Sequence, residues 1–320
     1  MYFEGSEKKA EIVIDSNKLS LLSDFDDTFW QQLVSCCNAQ ILSSISNDQC
    51  KAFLLSESSL FVWHDRLLIL TCGVTHLVNS VEHLLKNIPH QHIKQVIYQR
   101  KNEYFSHEQP SCFGDDIQLL AKYIDGWAYR FGEMDAHHNF VFHQKNQFIA
   151  AQEDKTYELL AYQISEQASK TLTTPGLSAA TIRQFLNIEQ LLPDFIIDDF
   201  VFQPYGYSLN AIKQEKYLTI HVTPQEGSSY VSFESNLNLI ELAPTILAIL
   251  QPASFDLLTF NEFDFVEKIP EIIPANYVSK SLVKETLTNG YFVCFANFIK
   301  PQLSFNKPAI LDITGENHAL

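Results

Sequence analysis

The chain has 320 residues, 46% of them hydrophobic and 19% charged, which supports a sizeable core and excludes a disordered tail. Its 22 Lys and Arg against 38 Asp and Glu leave a net charge of −16, so the basic face of a nucleic-acid binder is lacking and cationic ligands are favoured. Residues 1–9 lack the basic-then-apolar order of a secretory leader, and runs such as 67–70 are too short to span a bilayer. Six cysteines (Cys36, Cys37, Cys50, Cys72, Cys112 and Cys294) show no CxxC spacing and read as reduced thiols. The expected location is cytoplasmic, with neither membrane nor nucleic acid as a partner.

Apolar spacing and turn residues predict the elements in chain order. A helix is expected over 24–40, then strands at 52–55, 60–63 and 67–71, the last following a His64-Asp65 turn. Gly73 is expected to open a helix with Val74, Leu77, Val78, Val81, Leu84 and Leu85 on one face. Helices over 115–123, 154–165 and 179–186 follow, then strands at 200–202, 217–223 and 230–234, and a helix over 240–250. Hairpin strands followed by a helix occur twice. The expected fold is therefore α+β and internally duplicated, with halves of about 1–150 and 151–320 in one compact body.

No GxGxxG, GK[ST], HExxH or GxSxG motif is present. His90 and His92, and His137, His138 and His143, sit among Gln and Asn without ligand spacing, so no metal is expected. Three polar clusters stand out: 3–11 with Glu4, Glu7 and Glu11; the Ser-Glu-Ser-Ser knot at 56–59; and 202–210 together with 219–224. A strand bulge accounts for such a knot equally well. His221 alternates with Ile220 and Val222 and so faces opposite to them.

Taken together, these segments resemble the eukaryotic-type S-adenosylmethionine decarboxylases, a pyruvoyl-dependent family of polyamine synthesis. The matching stretches are FEGSEK at 3–8, LSESS at 55–59, TCG at 71–73, GYS at 206–208, TIHVTP at 219–224 and SYVSFESN at 229–236. The resemblance implies a four-layer αββα sandwich of two antiparallel sheets. It also implies self-cleavage between Glu57 and Ser58 into chains 1–57 and 58–320, with Ser58 becoming a pyruvoyl group that forms a Schiff base with S-adenosylmethionine. Neither metal nor pyridoxal phosphate is implied. By the same resemblance His221 is the base for the Ser58 α-proton, Ser208 assists processing, and Cys72 reprotonates the substrate carbon. Phe3 and Phe202 stack on adenine, backbone groups of Leu55 and Glu57 read its edge, and Glu4 and Glu7 are required acids near the site.

Where the family usually grips the ribose with a glutamate after TIHxTP, this chain has Gln225 and then Glu226. That departure leaves open a pyruvoyl-dependent decarboxylase of a simpler amino acid such as ornithine or arginine. A catalytically silent regulatory paralogue is the other alternative, and retention of Ser58, Cys72, Ser208 and His221 speaks against it. A putrescine-like pocket is implied at Glu11, Asp154, Thr156, Glu158 and Glu234, although Asp154 also suits a helix N-cap. Leu70 replaces a family lysine there, and Lys9 stands where plant members place an arginine that substitutes for the diamine. The expectation is that Lys9 partly neutralises the pocket and weakens or removes a putrescine effect. A homodimer of processed chain pairs is a further possible partner arrangement.

Overall fold

The computed structural model describes residues 7–103, 109–146, 148–223 and 229–301. The first half builds one sheet from β1 (Lys8–Ile14), β2 (Ile41–Ser46), β3 (Cys50–Leu55), β4 (Ser58–Trp63), β5 (Arg66–Thr71), β6 (Ile93–Lys101), β7 (Gly126–Gly132) and β8 (His138–Gln144). The second half builds another from β9 (Thr156–Tyr162), β10 (Ile196–Val201), β11 (Tyr207–Lys213) and β12 (Lys216–Thr223). It continues with β13 (Tyr230–Ser235), β14 (Ser254–Phe260), β15 (Val278–Thr286) and β16 (Phe292–Ile299). Strand order is β2-β3-β4-β5-β1-β6-β8-β7 in the first and β10-β11-β12-β13-β9-β14-β16-β15 in the second. Each second-sheet strand is the first-sheet strand shifted by a constant index, so the two halves share one topology. The strand pairs are antiparallel.

Each sheet buries one face under helices. Trp30, Leu33 and Val34 of helix Asp27–Cys36 and Leu77, Val81 and Leu84 of helix Leu77–Asn87 join Ala10, Ile12, Leu60 and Val62 in one core. In the second half, Ala243, Ile246 and Leu250 of helix Leu239–Leu250 join Leu159, Ile220, Val222 and Phe233. The other faces meet each other, giving the αββα order of layers. Two apolar plugs hold this inner gap: Phe61, Trp63 and Leu68 with Tyr217, and Ile97, Phe131 and Val141 with Leu258, Phe260 and Phe295. The remaining inner positions are polar and almost fully buried, including Lys9, Ser59, Glu158, Asn210, Thr219 and Glu234. Burying so many polar groups is costly unless they pair, and Lys9 with Glu158, and Ser59 and Thr219 with Asn210, do so.

Four expectations about local structure change. Residues 154–165 form no helix: Thr156–Tyr162 is β9, central in its sheet, pairing with β13 and β14. Both its faces are buried, so Tyr157-Glu158-Leu159-Leu160-Ala161 shows no period-two alternation, and tertiary pairing overrides helix-favouring residues. The helix expected over 24–40 is two: Ser20 caps Leu21–Asp24, Phe25 is extended, and Asp26 caps Asp27–Cys36 by accepting from Phe29 N at 2.9 Å. Gly73 does not open a helix. It has φ +62, the helix begins at Leu77, and Val74 is exposed. The 56–59 knot is a hairpin turn rather than a bulge, with Leu55 paired to Ser58 across Ser56 and Glu57.

Candidate active site

The β3–β4 turn is pinned from outside: Ser56 N donates to Gln40 O at 2.8 Å and Gln40 N donates to Ser56 Oγ at 3.0 Å. Immediately after it, Ser58 has φ 147, a backbone conformation that costs a non-glycine residue on the order of 1–3 kcal/mol. The carbonyl of the Glu57–Ser58 peptide receives two donors from one residue, the Cys72 backbone N–H at 2.9 Å and the Cys72 thiol at 3.3 Å. Gly73, which follows Cys72, has φ +62, a left-handed conformation that glycine adopts without strain.

His221 arrives from β12 on the opposite sheet. Its Nε2 lies 2.9 Å from Ser58 Oγ, 2.9 Å from Thr219 Oγ1 and 3.2 Å from Ser59 Oγ, while Nδ1 lies 2.9 Å from Ser208 Oγ. The alternation expected on β12 holds: Ile220 and Val222 point into the helix-side core, and His221 points into the gap. Asn210 completes the array, accepting from Ser59 Oγ at 2.6 Å and from Thr219 Oγ1 at 3.0 Å. Burial drives the His221 imidazole down to about 4, against the Glu7 carboxylate and with help from Lys101. The ring is therefore neutral at physiological pH and able to take a proton. Burial pushes the Cys72 thiol up to about 12, and the carboxylates of Glu57 and Glu7 add to it, so Cys72 keeps its proton.

A buried chain of charges runs from this array across the gap. Glu7 accepts from Lys101 Nζ at 2.9 Å and from Tyr230 OH at 3.0 Å. Lys101 also meets Glu158 at 2.6 Å, and Lys9 meets Glu158 at 2.9 Å and Glu234 at 2.5 Å. Tyr217 OH donates to Glu234 at 3.2 Å. Burial opposes ionisation of Glu158, but Lys101 and Lys9 outweigh it and hold its carboxyl low. Burial raises Glu234 to about 8, with Lys9 opposing and Glu158 adding. Further along, Arg66 grips Asp154 through both guanidinium nitrogens at 2.6 and 3.1 Å and meets Glu11 at 3.0 Å. A cavity of about 520 Å³ opens here, lined by Glu11, Arg66, Asp154, Thr156 and Tyr217 among others.

The structure thus brings Ser58, Cys72, Ser208 and His221 together around one peptide bond, with Glu57 supplying its carbonyl and Leu55 ending the strand before it. Glu7 stands behind His221, tied to Lys101. Lys9, Glu158 and Glu234 form one cluster; Glu11 and Asp154 form another with Arg66, beside Thr156. Asp154 is a guanidinium partner instead of a helix cap. Phe202 packs edge-on against Phe200 with centroids 4.9 Å apart. Phe3, Glu4 and Gln225 lie outside the described residues. Sequence reasoning assigned no role to Ser59, Asn210, Thr219, Lys101 or Arg66. Period two was the available signal for Asn210 and Thr219, each two positions from a residue already singled out.

The fold and the site define an antiparallel αββα sandwich with a neutral histidine set against a strained, donor-bound peptide. A sequence profile described as adenosylmethionine decarboxylase matches residues 1–299. A protein from Trypanosoma brucei brucei named S-adenosylmethionine decarboxylase proenzyme is 29% identical over 93% of this chain and 88% of that protein. One of the same name from Dictyostelium discoideum is 33% identical over 81% of this chain and 75% of that protein. The crystal structure of a Trypanosoma brucei AdoMetDC-delta26 monomer aligns with TM-score 0.58 and 23% identity over 76% of this chain and 99% of that one, a likeness of fold. The chain belongs to the adenosylmethionine decarboxylase family. Among the described residues no helix is long and apolar enough to cross a membrane.

Proposed function

We propose that this chain cleaves itself between Glu57 and Ser58 and then decarboxylates S-adenosylmethionine, supplying aminopropyl groups for spermidine and spermine synthesis. The observation that carries this reading is the contact of Ser58 Oγ with His221 Nε2 at 2.9 Å, beside a Glu57 carbonyl held by two Cys72 donors. Ser58 Oγ attacks the Glu57 carbonyl carbon, the C–N bond breaks, and the Ser58 nitrogen takes up the hydroxyl proton, leaving an ester. The Cys72 donors hold the carbonyl oxygen as negative charge develops on it. His221 then removes the Ser58 α-proton and Glu57 leaves as a carboxylate. The dehydroalanine so formed tautomerises and hydrolyses, consuming water and releasing ammonia, and residue 58 becomes the pyruvoyl end of chain 58–320. Strain at Ser58 raises the starting peptide toward the first step.

The residues present suit such a group: position 58 is buried, with a protonated thiol on one side and a neutral imidazole on the other. The pyruvoyl carbonyl supplies the electron sink for the carbanion left when carbon dioxide departs. Cys72, which retains its proton, is the donor to the substrate carbon. Phe202 and Phe3 stack on adenine, Leu55 and Glu57 offer backbone groups to its edge, and the acids Glu4 and Glu7 suit the sulfonium. The role the resemblance gives to Gln225 is that of a neutral acceptor for the ribose, worth about 0.5–1.5 kcal/mol where a carboxylate gives about 1.5–3.

The same reading makes putrescine a weak effector or none, because Lys9, Lys101 and Arg66 already neutralise the acids a diamine would meet. Six unpaired cysteines support a reducing, cytoplasmic setting. Pairing of processed chains into a homodimer is part of the proposal, tested by sedimentation. Mass spectrometry of the purified protein tests the core of it: fragments 1–57 and 58–320 are expected, the larger one reactive toward borohydride. Carbon dioxide release is expected from S-adenosylmethionine and not from ornithine or arginine. One unreactive full-mass polypeptide overturns the assignment.

A further inference from the structure

Among the described residues three hydroxyls crowd the same nitrogen of His221, and one of them belongs to the residue that must react. Thr219 Oγ1 lies as near to Nε2 as Ser58 Oγ does, at 2.9 Å, and Ser59 Oγ lies at 3.2 Å. If either gave its proton to Nε2, the lone pair would be occupied and Ser58 would have no acceptor. Something must decide between them.

We propose that Asn210 is a positioning residue that turns Ser59 and Thr219 into acceptors toward His221 and so reserves the Nε2 lone pair for Ser58. The amide orientation of Asn210 is fixed from the far side, where Nδ2 donates to Phe53 O at 3.0 Å. Oδ1 therefore faces the hydroxyl pair and accepts from Ser59 Oγ at 2.6 Å and from Thr219 Oγ1 at 3.0 Å. A serine or threonine hydroxyl has one proton to give. Both are spent on Asn210, and lone pairs alone face Nε2. On this proposal the ring proton of His221 sits on Nδ1, donated to Ser208 Oγ 2.9 Å away, so that Ser58 is the one hydroxyl of the three still able to donate to Nε2. Once Nε2 has taken a proton, the same two oxygens accept from it and stabilise the charged ring. Asn210 and Ser59 are 0% exposed and Thr219 is 1% exposed, so solvent does not offer a substitute acceptor.

This inference rests on the self-cleavage proposed above, and the experiment separates the two. Chains made by cell-free translation are followed in time by gel and mass spectrometry, with hydroxylamine added to release fragment 1–57 from any ester. Asn210→Ala is expected to slow processing at least tenfold and to accumulate the uncleaved amide, from which hydroxylamine releases no fragment. Removing the freed donors, in Asn210→Ala/Ser59→Ala/Thr219→Val, is expected to recover at least threefold of that loss, which no purely structural role of Asn210 predicts. Asn210→Asp keeps an acceptor oxygen in the same place and is expected to process faster than Asn210→Ala. Should the alanine variant not fold, the folded Asp variant still decides: processing within tenfold of wild type supports the assignment, and a stalled chain overturns it. Wild-type speed in Asn210→Ala, or a triple variant as slow as the single one, also overturns it. A wild-type chain that stays whole overturns the self-cleavage reading and this one with it, and the wild-type lane tells the two failures apart.

Discussion

Ser58 and Ser59 are consecutive residues of one strand, yet both hydroxyls reach the same nitrogen of His221, at 2.9 and 3.2 Å. In a regular strand neighbouring side chains point to opposite faces. Phe61 and Trp63 share the parity of Ser59 and fill the gap between the sheets, whereas Leu60 and Val62 share that of Ser58 and lie under the helices. The φ of 147 at Ser58 is where the strand breaks its alternation and brings the hydroxyl round to the gap.

That geometry sets a stability order among uncleavable variants. Ser58→Gly and Ser58→Ala both lack the nucleophile and are expected to remain single chains. Glycine adopts the observed φ without strain, whereas alanine does not. After allowance for the entropy glycine loses on folding, Ser58→Gly is expected to be more stable by about 1 kcal/mol. Urea denaturation of the two single chains measures the difference, and equal midpoints would remove strain from the account.

The depressed His221 pKa gives a pH dependence with a definite sign. Its folded value of about 4 lies below the ordinary 6.5, so between these values the unfolded chain binds the proton and the folded chain does not. This group's contribution is fully present above pH 6.5 and falls away as pH drops toward 4, by about 3 kcal/mol in all. In the Ser58→Ala background, replacing His221 by Ala is expected to flatten the stability curve over that window. Denaturation at several pH values between 4 and 7 is the measurement. An unchanged slope would mean that His221 is not held neutral.

Cys72 is expected to be slow toward alkylation at pH 8, because a thiol raised to about 12 holds almost no thiolate there. The acid role proposed for it does not need a thiolate. Cys72→Ala is expected to lower kcat by roughly 10²–10⁴ in any fraction that still processes, the usual worth of a positioned proton donor. Carbon dioxide release, normalised to the pyruvoyl content of each sample, checks this. Rapid alkylation of Cys72 in the native protein would contradict the environment described.

Lys9 is 1% exposed and bridges Glu158 and Glu234. Lys9→Ala leaves buried carboxylates without one of their cations and is expected to cost about 3–5 kcal/mol. Wild-type turnover is expected to change less than about twofold with putrescine, while the thermal midpoint of Lys9→Ala is expected to rise with added diamine as ligand binding refills the site. A large stimulation of the wild type by putrescine would refute the idea that the chain supplies its own cation.

Much of the architecture was legible from local pattern. Alternation placed Ile220 and Val222 in the core and His221 opposite, and the spacing around Leu77, Val81 and Leu84 found the helix that covers β1. β9 was not legible, because a central strand buried on both faces loses the period that separates strand from helix. The motifs themselves named Ser58, Cys72, Ser208 and His221 before any fold was known, since a resemblance in short stretches needs no contacts.

What the tertiary structure alone decided is how charge and protons are distributed. The sequence shows an excess of acids and a row of hydroxyl residues, but not that Lys101 meets Glu7 across 94 positions or that Arg66 spans 88 to reach Asp154. Nor does it show that Asn210, on a strand 151 positions from Ser59, accepts that hydroxyl's hydrogen bond. Such pairings form only when two sheets close over one another and water leaves the gap, because a few ångströms of separation and the loss of solvent make a charge or a hydrogen bond consequential. Periodicity fixes which face a side chain occupies; the closing of the faces fixes what it meets.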